Sequence, residues 1–519
     1  MGTALAISVI NLIMAASPPA GDLLTVAERS DWQATATYAE VIELLDSIQE
    51  RSTVMRRAQL GRTAEGRSIP LVILANPPVA SAAEARASVR TVIFAFGNIH
   101  AGEVCGKEAL LMLTRELAAR PDDPLFKDLV IVFAPIYNAD GNEKMSLDNR
   151  PGQVGPARGM GQRPNAQGLD LNRDYVKLET QEARGLVRFL SEWDPHLTID
   201  THTTNGSEHR YVLTYAAPLN PSGHPAPIRF VRDEMLPEIT RRLRERTGYE
   251  TFFYGNFDEE RTSWQTYSAL PRFGGPYRGL RGQMSILCEA YAYASYKDRV
   301  LATREFVREI LMFAAEHHDR IVAVAEQARR ETTEAGLAPQ PDDVVGIRHR
   351  RAAFDEPVTI LGFDTGGEKP PRDYRVVHQG RFEAVRSVRR PWAYVLGPGH
   401  DGVVDKLRQH GIEVEPCAGE GRVEIYTVTR IERSPRSFQG HTLLRLEAES
   451  RLDQRMFPVG SVLVRTAQPL GTLAVYLLEP ESQDGLAAWN FFDDHLVEGG
   501  PYPVMRVRWA DDLHLTQAR

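Results

Sequence analysis

The sequence predicts an α/β protein with a mixed, mostly parallel sheet flanked by helices, followed by a smaller, mostly β domain. Three observations lead to this fold class. Apolar runs of strand length alternate with helical patterns from Thr37 to Thr332, as in α/β domains. A segment rich in Pro and Asp follows at 338–343. Beyond it, short β-branched runs are separated by Gly and Pro, which is typical of β-rich structure.

The predicted elements of the first region follow from hydrophobic periodicity. The strands are Ile69–Leu74, Thr91–Phe96, Leu129–Ala134, Leu197–Asp200, Tyr211–Thr214 and Ser285–Leu287. The helices are Glu103–Ala119, Gln181–Glu192 and one long helix over Leu301–Ala335. Because Gly336 follows that long helix, we expect the helix to end there and to close the first domain.

The second region predicts four strands and one helix. The strands are Pro357–Leu361, Val423–Val428, Thr442–Leu446 and Thr472–Leu478, and the helix is Val403–His410. No motif there indicates chemistry, and we expect His410 and His495 to be surface or half-buried histidines. The predicted organisation is a first domain at 18–336, a linker at 337–343 and an accessory domain of unknown role at 344–519.

Composition excludes some partners. The chain has 519 residues and a net charge of −8, and it has no long basic run, so nucleic acid is not an expected partner. Three cysteines do not make a disulfide framework, and Cys105 and Cys288 are expected to be buried thiols. Charge favours no other class of partner.

The N-terminus predicts export. An apolar run, Ala4–Ala16, is followed by Ser17-Pro18-Pro19-Ala20, which is the pattern of a signal peptide at 1–17. The run is too short to cross a bilayer, so we expect a secreted or periplasmic protein without an integral membrane segment. No Lys or Arg precedes the run, and the alternatives are a buried N-terminal helix or a different start.

A metal site is predicted where two apolar runs end. His100 and Glu103 form a His-x-x-Glu turn after the run Thr91–Phe96, and His202 ends another run. Zinc takes imidazole nitrogen and carboxylate oxygen at ~2.0–2.2 Å, and three protein ligands leave a fourth position for water. The spacing alone is not specific, because it recurs at His410/Glu413 and His495/Glu498.

Two further motifs accompany these residues in a fixed order. Gly168-Leu169-Asp170-Leu171-Asn172-Arg173-Asp174-Tyr175 lies between the two candidate ligand segments, and Met284–Glu289 closes a third apolar run. Together these motifs resemble the zinc carboxypeptidase family, of the carboxypeptidase A type, over residues 30–330. The resemblance implies that family's fold and one Zn²⁺ per chain bound by His100, Glu103 and His202. It also implies hydrolysis of the C-terminal peptide bond.

Glu289 and Asp170 have predicted roles beside the metal. Glu289 ends an apolar strand, where burial would tune a carboxylate to act as a general base on the zinc-activated water; in the family, the corresponding glutamate is that base. The alternative is a salt-bridged residue at a strand end. Asp170 is expected to accept a hydrogen bond from His100 and fix its tautomer, or else to cap a turn.

The pair Asn172 and Arg173 predicts recognition of a free C-terminus. A guanidinium binds a carboxylate with two parallel hydrogen bonds, and the family uses its Asn-Arg pair in this way. The family pattern continues with Asn and an aromatic residue, whereas this chain has Asp174 and Tyr175. The extra negative charge either changes selectivity or pairs with Arg173.

Two further family roles are matched from the resemblance. The arginine that polarises the scissile carbonyl is best matched by Arg163, with Arg150 and Arg158 as rivals in the same Gly-rich loop. The tyrosine that closes over the substrate is matched by Tyr277 in a lid-like loop, with Tyr267 as competitor. A packing role is the alternative for either tyrosine.

Three functions are compatible with these motifs. The first is a zinc exopeptidase acting on peptide or protein C-termini. The second is a related zinc amidase, deacylase or cell-wall peptide hydrolase, and it differs in whether Asn172 and Arg173 bind a peptide carboxylate. The third, a catalytically dead binding protein, is disfavoured because the metal ligands, the general base and the carboxylate clamp, Asn172 and Arg173, are all present. The floor of the specificity pocket is expected within Ser263–Gln283.

Overall fold

The structure is a computed structural model that describes residues 23–365 and 368–516. The predicted signal peptide at 1–17 lies outside these residues. Among the described helices, none combines the length and the apolar character needed to cross a membrane. We refer to residues 23–337 as the N-terminal region and to residues 344–516 as the C-terminal region.

The described residues contain these elements. The helices are α1 (Val26–Arg29), α2 (Tyr38–Glu50), α3 (Ala82–Ala87), α4 (Cys105–Ala118), α5 (Leu125–Asp128), α6 (Ala139–Glu143), α7 (Gln181–Trp193), α8 (Pro225–Arg229), α9 (Leu236–Thr247), α10 (Gly274–Leu280), α11 (Tyr296–Glu316), α12 (His318–Leu337), α13 (Asp401–Gln409) and α14 (Gly471–Leu478). The strands are β1 (Met55–Arg62), β2 (Ser68–Leu74), β3 (Thr91–Gly97), β4 (Leu129–Ala134), β5 (Leu197–Thr204), β6 (Leu213–Ala216), β7 (Thr251–Phe253), β8 (Asn256–Phe257), β9 (Ser263–Gln265), β10 (Met284–Tyr291), β11 (Val344–Ala352), β12 (Val358–Phe363), β13 (Pro371–Gln379), β14 (Arg381–Arg389), β15 (Ala393–Leu396), β16 (Glu415–Arg433), β17 (Leu444–Arg465), β18 (Val504–Val507) and β19 (Leu513–Leu515).

The main sheet is mixed, as predicted. Its eight strands lie in the order β1-β2-β4-β3-β5-β10-β6-β7. The four central strands, β4, β3, β5 and β10, are parallel to one another. β2 and β6 flank this centre in antiparallel pairings. Parallel strands end at the same edge of a sheet, so the carboxyl ends of β3, β5 and β10 lie together, where open α/β sheets bind ligands.

Helices cover both faces of the main sheet. One face packs on α2, α4, α9, α11 and α12. The opposite face packs on α3, α7 and the C-terminal region. Burial on both faces explains why the central strands are continuous apolar runs; all six residues of β4, for example, are buried.

The first turn of α4 lies directly against β5. A Cβ atom on Gly106 would lie 2.0 Å from Oγ1 of Thr201, so only glycine permits this approach. The Thr201 hydroxyl donates a hydrogen bond to the carbonyl of Phe96 at 2.9 Å, which links β5 to β3. The contact fixes the start of α4, and therefore the turn before it, over the end of β5.

The C-terminal region is mostly β, as predicted. Strands β17, β15, β18 and β16 pair in a closed ring, because β16 also pairs with β17, and β19 adds to β16. β16 and β17 are the two arms of one long hairpin. β11 and β14 form a separate antiparallel pair.

The two regions share a sheet and a hydrophobic core. β13 pairs with β9, and this joins β12 and β13 to β8 and β9 in a four-stranded sheet. Tyr394 and Leu473 of the C-terminal region belong to the same buried cluster as Phe94 and Leu186 of the N-terminal region. Residues on the two sides of the predicted linker therefore pack against each other.

Two predicted elements are wrong in type or extent. Thr472–Leu478, predicted as a strand, lies in the helix α14, whose residues are all buried. A short, fully apolar run does not distinguish a strand from a buried helix. The single helix predicted over Leu301–Ala335 is two helices, because the backbone leaves the helical conformation at His317 (φ −120°, ψ 24°). The helix predicted at Val403–His410 is confirmed as α13.

Candidate active site

The three predicted metal ligands lie together at the carboxyl ends of β3 and β5. His100, Glu103 and His202 are buried, and their ligand atoms all lie within 4.8 Å of one another. Nδ1 of His100 is 3.0 Å from Oε1 of Glu103, and Nδ1 of His202 is 2.9 Å from Oε2. Two imidazoles and one carboxylate that converge in this way fit the donor set of a catalytic zinc site.

The turn that carries His100 and Glu103 is held by two asparagines. Asn98 has a positive φ of 67°, and its amide donates to the carbonyl of Ala101 at 3.0 Å. The amide of Asn138 donates to the carbonyl of Ile99 at 3.3 Å. Both contacts bring the two ligands back over the sheet edge.

A carboxylate lies next to Nε2, the outer ring nitrogen, of each histidine. Nε2 of His100 is 3.0 Å from Oδ1 of Asp170, the contact predicted for Asp170. Nε2 of His202 is 2.9 Å from Oδ1 of Asp200, out of line for a regular hydrogen bond. Carboxylates in this position orient metal-binding imidazoles, which further supports the fit to zinc.

Asp200 is a site residue that the sequence analysis did not assign. Its second oxygen, Oδ2, accepts a hydrogen bond from the fully buried Arg278 at 2.9 Å. A signal was available, because Asp200 stands two residues before His202, and residues i and i+2 of a strand face the same side.

The acidic groups of the cluster are held in their charged form. Burial alone would raise the pKa of Glu103, but His100 and Arg150 lower it well below its usual range. For Asp170, burial is likewise outweighed by the hydrogen bond and charge of His100 and by Arg173, so its pKa is also lowered. Charged carboxylates favour binding of a cation.

Glu289 lies beside the ligand cluster with its carboxylate open to the cleft. It stands opposite His202 in the register of β10 and β5 and lines the same cleft. The hydrogen bonds and ion pairs of the described residues do not include its carboxylate. Burial raises the pKa of Glu289 to about 8, although the charge of His202 lowers it.

The predicted carboxylate clamp forms one wall of the cleft. The guanidinium of Arg173 lies over the ring of Phe273, 4.0 Å from its centroid, and donates to the backbone carbonyl of Asn172 at 2.8 Å. Oδ1 of Asn172 accepts from the amide of Gly274 at 3.0 Å. Both side chains line the cleft, and the contacts tie the two wall segments together.

Asp174 does neither of the two things considered for it. Its side chain is fully buried and pairs with Lys177 at 2.7 Å rather than with Arg173. It also accepts from the backbone amide and hydroxyl of Thr180 at 2.8 and 2.7 Å. The departure from the family motif therefore adds an internal brace and no charge in the cleft.

The three rival arginines lie in different places. Arg150 donates to Glu103 at 2.7 Å and to the carbonyl of Thr203 at 2.7 Å, so it braces a predicted ligand. Arg163 lines the cleft and binds Asp170 through Nε and Nη2 at 3.0 and 2.9 Å. Its Nη1 keeps only a 3.5 Å contact with Glu103. Arg158 is exposed and does not line the cleft.

The structure does not bring Tyr277 into the cleft. Tyr277 lies in α10 instead of a loop, is fully buried, and its hydroxyl is 2.7 Å from Nδ1 of His410. His410 is also fully buried, contrary to expectation. The cleft is lined instead by Tyr254 and Tyr267, whose rings contact edge to face at 5.7 Å.

The cleft has a volume of about 320 Å³, which is in the range of small-molecule sites. Buried ligands of metal-binding type, an open carboxylate and a wall of guanidinium groups meet in it. This combination defines a metal-dependent hydrolase class of site.

Comparison with known proteins finds zinc carboxypeptidases among the similar proteins. Residues 41–209 match the family model described as zinc carboxypeptidase. The chain is 24% identical over 472 residues to carboxypeptidase 2 of Trichophyton equinum, covering 86% of this chain and 82% of that protein. It is 28% identical over 173 residues to carboxypeptidase Z of Homo sapiens, covering 32% of this chain and 25% of that protein. Residues 41–209 therefore match a zinc carboxypeptidase domain, and these matches indicate a metallopeptidase.

Solved structures give weaker likenesses. Carboxypeptidase A from Helicoverpa armigera has a TM-score of 0.41 and 16% identity, over 54% of this chain and 74% of that one. A metallo-carboxypeptidase from Pseudomonas aeruginosa, in complex with (2-guanidinoethylmercapto)succinic acid, has a TM-score of 0.40 and 18% identity, over 54% and 69%.

Proposed function

We propose that this metallopeptidase removes C-terminal residues from peptides or proteins by hydrolysis that depends on one zinc ion per chain. The observation that carries the proposal is the content of a single cleft. His100, Glu103 and His202 converge there, Glu289 lies beside them, and the Arg173 guanidinium lines the same wall. A zinc-dependent peptidase that acts on a free C-terminus uses metal ligands, a general base and a group that binds the substrate carboxylate.

The proposed chemistry assigns proton transfer to Glu289. A zinc ion held by His100, Glu103 and His202 would supply a Lewis acid and lower the pKa of a bound water to ~7. Glu289 takes a proton from the attacking water and returns it to the leaving amine nitrogen. Asp170 and Asp200 keep the two imidazoles oriented through their outer nitrogens.

Arg163 and Arg173 have separate proposed roles. The Nη1 atom of Arg163 makes only a 3.5 Å contact with Glu103, so we assign it to the developing negative charge on the scissile carbonyl oxygen. Arg173, stacked on Phe273, binds the substrate carboxylate with Asn172 beside it. If a tyrosine contacts the substrate, Tyr254 or Tyr267 is in position and Tyr277 is not.

The experiment compares matched peptides with a free or an amidated C-terminus. The expected result is release of the terminal residue from the free peptide only, loss of activity on chelation, and recovery with Zn²⁺. Elemental analysis should find about one zinc in the wild type and none in His202→Ala. Equal cleavage of both peptides would replace the carboxypeptidase proposal with the amidase or deacylase alternative. An unchanged zinc content in His202→Ala would show that His202 is not a zinc ligand.

We also propose export of the protein, on the apolar run Ala4–Ala16 and the small residues after it. The expected outcome is a mature protein that starts after Ser17. Fractionation followed by N-terminal sequencing tests this. Recovery of the protein only in the cytoplasm would contradict export, and an intact Met1 outside the cytoplasm would contradict cleavage.

A further inference from the structure

The tip of the β16–β17 hairpin reaches the active-site region from the C-terminal region. Phe438 and His441 exchange two backbone hydrogen bonds of 2.8 and 3.0 Å, which closes a two-residue loop. The loop residues Gln439 and Gly440 have φ values of +51° and +83°. Two positive φ angles define the hairpin turn that strongly favours Asn-Gly or Asp-Gly.

Gln439 is an unfavourable residue for this turn. A residue with a Cβ in the left-handed region is strained, and Asn or Gly would tolerate the position better. Its longer side chain makes a contact that they could not: Oε1 of Gln439 accepts a hydrogen bond from the backbone amide of Asp170 at 2.8 Å. Strain that is retained at such a contact points to function.

Asp170 precedes and caps the turn that carries the clamp residues Asn172 and Arg173. It caps the short helical turn Leu171–Arg173, because its Oδ1 accepts from the amide of Asn172 at 2.9 Å. The same carboxylate contacts His100 and Arg163. A shift of the Asp170 backbone would therefore move the start of the turn that carries Arg173, while side-chain bonds still hold the Asp170 carboxylate.

The C-terminal region also holds the second segment of the cleft wall. Asp484 accepts hydrogen bonds from the backbone amide and Nε of Arg272 at 2.8 and 2.9 Å. The guanidinium of Arg272 lies 5.2 Å from the ring centroid of Phe438. Arg272 precedes Phe273, on which Arg173 stacks. Both sides of the clamp are thus held from the C-terminal region.

We propose that Gln439 is a positioning residue for recognition of the substrate carboxylate. It acts through the backbone of Asp170, which sets the position of Arg173, and it makes the C-terminal region part of the active site. The inference rests on the proposed carboxypeptidase function. Loss of one hydrogen bond of this kind should raise KM for free peptides about 3–10-fold, with kcat changed less than about twofold.

The test uses Gln439→Asn and Gln439→Gly in the full chain. Both substitutions suit the positive φ, so the turn should be as stable as in the wild type or more so, whereas neither side chain reaches Asp170. The control is Gln454→Ala, which removes an exposed glutamine from β17 of the same hairpin. KM, kcat, zinc content and Tm are measured for each.

The expected result is a raised KM in both Gln439 variants, with kcat, zinc content and Tm unchanged or with Tm increased, and no change in Gln454→Ala. A wild-type KM in both variants overturns the inference and leaves the proposed function intact. A fall in zinc content or Tm that accounts for the raised KM also overturns the inference, because the role of Gln439 would then be structural. If the wild type releases no C-terminal residue, the proposed function fails, and this inference fails with it.

Discussion

Glu289 and Glu479 are two glutamates with the same raised pKa in different regions of the molecule. Burial raises the pKa of each to about 8. In the C-terminal region, the oxygens of Glu479 accept hydrogen bonds from the hydroxyls of Tyr394 and Tyr426 at 2.7 and 2.8 Å, and Arg506 lies within 2.9 Å. The described residues provide Glu289 with no comparable partners.

The same contrast distinguishes the cleft from the contact between the two regions. The Asp484 carboxylate accepts hydrogen bonds from the backbone and side chain of Arg272 and from Nε1 of Trp489 at 2.9 Å. The charges of Asp484 and Arg272 therefore compensate each other. In the cleft, two imidazole nitrogens face one carboxylate, and Glu289 faces open space. Buried polar groups that serve structure bond to one another, whereas groups that serve chemistry leave a position for a ligand.

The largest expected effect is on turnover in Glu289→Gln. The amide is nearly isosteric but does not carry a proton, so kcat should fall ~10²–10⁴-fold with zinc content unchanged and Tm not lowered. Glu479→Gln is the matched control, because it changes a glutamate of similar pKa and should leave kcat within about twofold. A fall in kcat of less than about tenfold in Glu289→Gln would mean that Glu289 is not the general base. The contrast between Glu289 and Glu479 would then have no functional meaning.

The next effect is on stability in Asp484→Ala. The substitution leaves the Arg272 guanidinium buried without its carboxylate, and breaking such a pair costs ~3–5 kcal/mol of unfolding free energy. Asp493→Ala is the control, since Asp493 pairs with Arg433 at 2.7 Å on the surface and should lose about 1 kcal/mol or less. Denaturant titration measures both. Equal losses would mean that Asp484 is not an internal brace.

A smaller effect is expected on substrate binding in Arg173→Ala. Charge-assisted hydrogen bonds contribute about 1.5–3 kcal/mol, so KM for peptides with a free C-terminus should rise about 10–100-fold. The exposed Arg158 provides the control, and Arg158→Ala should keep the wild-type KM. Steady-state kinetics with a dipeptide series distinguishes the two. A lower kcat at constant KM would assign Arg173 to the transition state instead of the carboxylate.

The last expected effect concerns the pH dependence of stability and Glu479. Its pKa in the folded state is raised above the usual value of 4.5. The stability that this glutamate contributes is therefore fully present below pH 4.5 and is lost as pH rises through about 8. Glu479→Gln removes this loss, so the variant should gain unfolding free energy relative to the wild type between pH 5 and pH 8.5. A constant difference at all pH values would mean that Glu479 is ionised beside Arg506.

The ends of apolar runs predicted most of what meets in the cleft. His100 follows β3, and His202 and Glu289 lie near the carboxyl ends of β5 and β10. Parallel strands bring their carboxyl ends to one edge of the sheet. The roles of these residues remain predictions until the variants above are measured. The same alternation predicted the mixed sheet, because burial on both faces requires continuous apolar runs.

The remaining features depend on contacts that local patterns do not contain. Tyr277 stood in a Gly-rich segment typical of a loop, but it lies in α10 and its hydroxyl contacts the buried His410. Gln439 lies far along the chain from Asp170 and meets it only because the C-terminal region folds back. A hairpin tip in a region without recognisable motifs carries no sequence signal of that contact.

The core shared by the two regions makes each region depend on the other for the burial of its apolar side chains. A chain released from synthesis only as far as Leu337 would leave part of one face of its main sheet uncovered, because side chains such as Phe94 and Leu186 pack in the same cluster as Tyr394 and Leu473. Exposed apolar surface of this kind leads to aggregation. We therefore expect a chain cut after Leu337 to aggregate more readily than the full chain.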